Sequence, residues 1–363
     1  MKITTPMLYL SLSLIGTAVL PALAQQQAAD PERTPGVQAG PDPMRTAWVM
    51  QHCSNPAMPE QGGRGRGGGG PGTPAPGQAR STVSGIPGVI ANGAGWRTLW
   101  TDTGNNADSP IGVADGVLVA QNDKSQILKV RLDGVVELVA TDTYTGGALA
   151  LTPDGTLYVG ERALNRGIWQ VEPRELFANT MNGEPLECLT TGVLNDMIAD
   201  SKGGIYMTMG GVYYTNPQGV VSGRYGINGG NGLALSPDGS ILYVTGRLPN
   251  ANPPANLSVP ANAPEPTGGL VAYDVQPDGS LRNERQFAWA GGDGMAVDTE
   301  GRSYVTGNGG IWVISAGGDI LGFINTPRSM ISVSFGGPDK RTLFGVSIRD
   351  VEIFAINTLA QGL

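Results

Sequence analysis

The chain has 363 residues, with 56 glycines, 27 prolines, one histidine and a formal net charge of −8. That much glycine and proline argues against a long helical bundle, and the acidic balance argues against a phosphate-binding surface for nucleic acid. The single histidine, His52, excludes a histidine-rich zinc site and leaves a Ser-His-Asp triad only one possible base.

In chain order, Lys2 and the uncharged apolar run Met7 to Ala24 end in Ala22-Leu23-Ala24, a small-x-small signal. We expect residues 1–24 to be a secretory signal peptide, cut after Ala24, the alternative being an uncleaved anchor. The product would be periplasmic or secreted, with no stable membrane insertion after cleavage. Export permits a disulfide, for which Cys53 and Cys188 are the only candidates; a bridge and two separate thiols both remain open. Residues 25–91 read as a low-complexity segment and linker, because GGRGRGGGGPG at 62–72 cannot bury enough apolar area to offset its ordering entropy. One apolar patch, Ala47-Trp48-Val49-Met50, interrupts it and either docks on the main domain or stays idle.

From residue 92 to 363 the texture changes. An alternating strand, a turn rich in Pro, Asp and Gly, and a Leu-Tyr-Val-like strand recur as one phrase. The central residues of its second strand are Leu118, Tyr158, Tyr206, Tyr243, Tyr304 and Phe344, spaced 37–61 residues apart. Six copies at this period predict an all-β chain folded as a six-bladed β-propeller, each blade a four-stranded antiparallel sheet. The strand before each turn then lines the central channel.

Counting back from each anchor to the start of that inner strand reaches Asp108, Asn195, Asn231 and Asp293, with Gly147 and Ser332 at about the equivalent positions of the other two blades. Four blades therefore bring an oxygen acceptor to one channel mouth. Without a Lys or Arg among them, two carboxylates and two amide oxygens call for a cation. Oxygen-only ligands suit Ca²⁺ first, with Mg²⁺, Mn²⁺ or Zn²⁺ as alternatives.

The phrases NGLALSPDGSILYV (231–244), GGDGMAVDTEGRSYVTG (291–307), LNDMIADSKGGIYMT (194–208) and SVSFGGPDKRTLF (332–344) resemble the gluconolactonase / regucalcin / luciferin-regenerating-enzyme family. The resemblance covers about 108–355 and implies the same six-bladed propeller, a divalent metal in the channel, and hydrolysis of a lactone or ester. Carried over by motif, it makes Asn231 and Asp293 metal ligands, with Asn195 close by. Asp108 stands where the family has a glutamate, so the cation would shift or be bridged by water. Val193 stands where the family has an arginine that helps hold a polar sugar lactone, which points to a less polar substrate. Asp293 is the implied base, and Asn195 and Asn231 would position metal and substrate, a route that needs no histidine.

The candidate substrate contacts are Asp196, Arg162, Arg247, Trp289 and Asn308, and the proline-rich stretch 246–269 is expected to form a semi-rigid lid over the mouth. The expected function is an exported, metal-dependent hydrolase acting on a small lactone or related ester. A phosphotriester or other ester hydrolase is the second reading, and a non-catalytic binding propeller with a structural cation the third.

Overall fold

The computed structural model describes residues 43–57, 83–103, 107–190, 192–226, 230–261, 263–347 and 351–363. The expected signal peptide and most of the expected linker lie outside these residues. No helix among the described residues is long and apolar enough to cross a membrane.

The described residues form six four-stranded antiparallel sheets, the blades of the expected propeller. The inner strands run, blade by blade, Asp108–Val113, Ala148–Leu151, Asp196–Ala199, Leu233–Leu235, Met295–Val297 and Met330–Gly336. Each is followed outward in chain order, except in blade 6. There the outermost strand is Arg97–Asp102, paired antiparallel with Val351–Asn357. This exchange ties the start of the propeller to its last blade, so the ring of sheets has no free seam.

The repeated phrase folds alike each time because its turns share one chemistry. In the turn of blade 2, Asp154 Oδ1 accepts from the Thr152 hydroxyl (2.7 Å) and the Thr156 amide (3.0 Å), and Gly155 takes a φ of 88°. In blade 4, Asp238 Oδ1 accepts from the Ser236 hydroxyl (2.7 Å) and the Ser240 amide (3.0 Å), and Gly239 takes a φ of 69°. Glycine meets that left-handed geometry without a Cβ penalty. The six anchors lie on the second strands, and Tyr206, Tyr304 and Phe344 are fully buried there. Clusters of buried residues fill the gaps between neighbouring blades. Tyr206 of blade 3, for example, packs with Leu233, Leu242, Val244 and Tyr273 of blade 4.

One feature differs from the sequence expectation, and two alternatives left open there are resolved. The packed body begins before residue 92, since Val83, Ile86, Val89 and Ile90 are buried against blades 5 and 6. The Ala47–Met50 patch also docks. It lies on helix α1 (Pro43–His52), whose Trp48 and Val49 are buried against Leu164 and Cys188. Cys188 belongs to the short helix α2 (Leu186–Leu189), which lies between blades 2 and 3. Cys53 and Cys188 form a disulfide with a Cα–Cα distance of 5.5 Å, resolving the alternatives left open above. Buried Glu187 accepts from Arg45 of α1 and from Arg166 Nε at 2.7 Å, so an ion cluster accompanies the covalent link. His52 stacks on Trp48 and is no part of the channel.

Candidate functional site

The strand register tests the alignment of the four predicted oxygens directly. The anchors Leu118, Tyr158, Tyr206, Tyr243, Tyr304 and Phe344 pair with Ile111, Ala150, Ile198, Ala234, Ala296 and Ser334. Three residues before each partner stand Asp108, Gly147, Asn195, Asn231, Asp293 and Ile331. Asn195, Asn231 and Asp293 thus occupy the same level of one channel mouth; the pairing of blade 1 is irregular between Asp108 and Ile111, and Asp108 is tied to that level instead through Arg162, which also meets Asn195 Oδ1. The sixth position is Ile331, and the expected Ser332 lies one residue deeper, because the hairpin that joins Ser334 to its partner Phe344 is longer than those of the other blades.

A set of threonines two residues beyond the anchors holds this level in place. The Thr208 hydroxyl donates to the Asn231 carbonyl (2.6 Å), and Thr245 Oγ1 accepts from the Asn231 amide (3.3 Å). The Thr306 hydroxyl reaches the Gly294 (3.1 Å) and Ile331 (3.0 Å) carbonyls, on either side of the next blade boundary. All three threonines are buried. They were overlooked in the sequence, although Tyr-Met-Thr and Tyr-Val-Thr repeat there in plain view.

The expectation that no Lys or Arg stands among the ring oxygens is wrong. Arg162, on the loop after the second strand of blade 2, reaches into the ring with its side chain only 5% exposed. Its Nε donates to the Leu194 carbonyl (2.8 Å), and Nη2 donates to the Asn195 carbonyl (2.8 Å). Nη2 also makes long contacts of 3.4 Å with Asn195 Oδ1 and Asp108 Oδ2. Glycine at 147 makes room for it, since a Cβ there would lie 2.2 Å from Arg162 Cζ.

Asp196 sits one residue below the ring and lines the channel. Its carboxylate accepts from the Ser109 hydroxyl (3.2 Å) and the Met197 (2.9 Å) and Leu233 (3.3 Å) amides. The channel cavity beneath the ring holds about 200 Å³ and is of mixed polarity, with Leu149, Met197, Leu233 and Met295 in its wall beside Ser109, Asp196 and Ser332.

Three acids gathered at the channel mouth are all raised, chiefly by burial. Burial, opposed by Arg162, raises Asp108. Burial, with the Asp108 charge adding to it, pushes Asp196 up to about 7. Burial and the Asp108 and Asp196 charges push Asp293 up to about 8, against the pull of Arg162. Among the described residues, no three His, Cys, Asp or Glu side chains group closely enough to hold a metal. A cation here would therefore rest on the Asp108 and Asp293 carboxylates and the Asn195 and Asn231 amide oxygens. That hard-oxygen donor set fits Ca²⁺. The charge crowding that raises Asp293 is also what a cation relieves.

The remaining candidates lie on loops. The Arg247 guanidinium stands 5.0 Å over the Trp289 ring. Asn308 is exposed in the turn between two strands of blade 5. The stretch 246–269 is packed down. Leu257, Val259 and Ala263 lie against the core between blades 4 and 5, and the Gly291 amide donates to the Thr267 carbonyl (3.0 Å). Arg162 and Asp196 therefore join the ring directly, Arg247 and Trp289 join each other, and Asn308 joins neither group.

The sequence model of the SMP-30/Gluconolactonase/LRE-like region matches residues 123–349, well over half of the chain. The chain belongs to that family. Among proteins of the SMP-30/gluconolactonase/LRE-like kind, it is similar to the lactonase drp35 of Staphylococcus aureus, 29% identical over 201 residues. That alignment covers 50% of this chain and 56% of the relative, so the chain spans about half the length of the curated relatives it matches. Its fold is also that of a gluconolactonase from Xanthomonas campestris, with a TM-score of 0.64 at 21% identity, over 80% of this chain and 98% of the other. A calcium-binding regucalcin from Agrobacterium tumefaciens gives a TM-score of 0.57 at 17% identity, over 74% of this chain and 95% of the other.

Proposed function

We propose that the chain is an exported, divalent-cation-dependent hydrolase of small lactones or related esters, with Ca²⁺ as the preferred cation. The carrying observation is the ring itself: Asn195, Asn231 and Asp293 in register at one mouth and joined to Asp108 through Arg162, backed by buried threonines. The relatives named as lactonases and the calcium-binding structural neighbour support the same reading. The disulfide supports export, since such links persist in oxidising compartments.

Asp108, Asn195, Asn231 and Asp293 would hold the cation, which when bound supplies Lewis acidity to the substrate carbonyl and favours the ionised form of Asp293. Asp293, a carboxyl that exchanges its proton near neutral pH, takes the proton of the attacking water. Water adds to the carbonyl carbon, the ring C–O bond breaks, the leaving oxygen takes up a proton, and a hydroxy acid is released. Asn195, pinned through its carbonyl to Arg162, keeps its amide at the mouth. Arg247 and Trp289, with the packed 246–269 stretch, form the rim that a substrate passes.

The test is a panel of lactones, aryl esters and phosphotriesters assayed after chelation and again with calcium restored. Calcium-restored turnover of lactones above the other classes is the expected result. Turnover of no ester, with calcium still raising the unfolding temperature, would replace this reading with a binding propeller that uses its cation structurally.

A further inference from the structure

We propose that the outer edge of the Arg162 guanidinium is an oxyanion and carboxylate site. On this view it receives the carbonyl oxygen of the substrate and then the carboxylate of the product. The proposal rests on the hydrolase reading above and deepens it by naming a contact for the reacting group.

The argument begins with the donors. Arg162 is almost wholly buried, and its Nε and Nη2 are fixed by the Leu194 and Asn195 carbonyls. Its Nη1 carries two further N–H groups, donates to none of the described residues and is not among the buried atoms left without a partner, so it is open to the channel. Its acceptor is therefore a group that enters the channel, water or a substrate oxygen. The location of Nη1 says which. At blade 2 the ring position is Gly147, and a Cβ built there would lie 2.4 Å from Nη1. The guanidinium edge therefore stands where the ring side chain of blade 2 would begin, at the level of Asn195, Asn231 and Asp293. The ring is thus four oxygen acceptors and one donor edge.

A planar, permanently charged donor pair suits an oxygen that gains negative charge. Water addition to a lactone carbonyl places that charge on the former carbonyl oxygen, and ring opening leaves it on a carboxylate. Because Arg162 is held by two backbone carbonyls, it needs no rearrangement as the charge develops, which is the condition under which such contacts contribute most.

The experiment uses full-length protein in calcium-containing buffer and a defined probe, 4-hydroxybutyrate, the open form of a five-membered lactone. Binding is measured by ligand-observed NMR titration for the wild type, Arg162→Gln, Arg162→Lys, Gly147→Ala and Arg285→Ala, with an unfolding temperature for each. Arg285→Ala removes an exposed charge at the outer edge of blade 4. The expected result is at least a tenfold weaker Kd in Arg162→Gln and Gly147→Ala, an intermediate value in Arg162→Lys, and no change in Arg285→Ala. Gly147→Ala keeps the arginine but denies it the slot, so it decides the matter if Arg162→Gln does not fold. Wild-type protein that does not bind the probe would overturn the proposal, as would a folded Arg162→Gln or Gly147→Ala that binds it as tightly as wild type. Lactone turnover is recorded separately. Its absence in the wild type, with Arg162-dependent probe binding intact, would sink the hydrolase reading and leave the carboxylate site standing.

Discussion

Removing the Cys53–Cys188 link by the double change Cys53→Ser and Cys188→Ser should free helix α1 before the propeller unfolds. The disulfide spans a sequence separation of 135. Chain entropy alone allows such a cross-link about 5 kcal/mol of stabilisation. That figure is a ceiling, reached only if α1 stays docked until the whole fold gives way. The non-covalent hold on α1 is chiefly the burial of Trp48 and Val49, about 2–3 kcal/mol for each side chain, plus the Arg45–Glu187 contact. Ordering a segment of this length costs about 1–2 kcal/mol per residue, so those contacts alone do not hold it. The variant should therefore show an early loss of the buried-tryptophan signal and rapid tryptic cleavage after Arg45, whose side chain is 12% exposed when docked. The main unfolding transition should fall by less than the ceiling. A variant that unfolds in one transition at the wild-type midpoint, with Arg45 still protected, would refute the idea that the cross-link retains α1.

Two further outcomes follow from the ring. In chelator, the Asp293 carboxyl titrates at about 8 in the folded protein because of burial and the Asp108 and Asp196 charges, with Arg162 opposing. An unfolded aspartate titrates near 3.9, so between about pH 4 and pH 8 the folded state binds more protons, and stability must fall as pH rises. Thermal unfolding from pH 5 to pH 8.5 should show that slope, and saturating calcium or Asp293→Asn should make it shallower, Asp196 still contributing in the latter; equal slopes in all three would count against the crowded-carboxylate picture. Thr306→Val removes a buried hydroxyl that serves the Gly294 and Ile331 carbonyls. It should cost about 1–3 kcal/mol in denaturant unfolding and lower kcat more than it raises KM, since it supports Asp293 without touching substrate.

The propeller was legible because one phrase repeats. Six anchors at similar spacing, each preceded by an Asp-containing turn, leave little freedom in blade number or strand direction. Asp108, Asn195, Asn231 and Asp293 were legible for the same reason, as a similar count back from each anchor, 10 to 12 residues, reaches the start of the inner strand. The count slipped by one residue at Ser332, where the longer hairpin of blade 6 breaks the arithmetic. Arg162 could be named as a contact but not placed in the ring. Its reach depends on a missing Cβ at Gly147, a coincidence of two chain segments that no local pattern records. The docking of Trp48 and the early start of the body at Val83 were hidden in the same way. Both are long-range contacts made by short apolar stretches within glycine- and proline-rich surroundings, whose composition reads as linker.

The most direct measurement of the central claim is the kcat of Asp293→Ala on the lactone that the wild type turns over best, in calcium-containing buffer, with unfolding temperatures recorded for both proteins. If Asp293 is the base at the channel mouth, kcat falls by about 10²–10⁴-fold while the variant remains folded. A folded Asp293→Ala that hydrolyses the lactone at the wild-type rate would contradict the account.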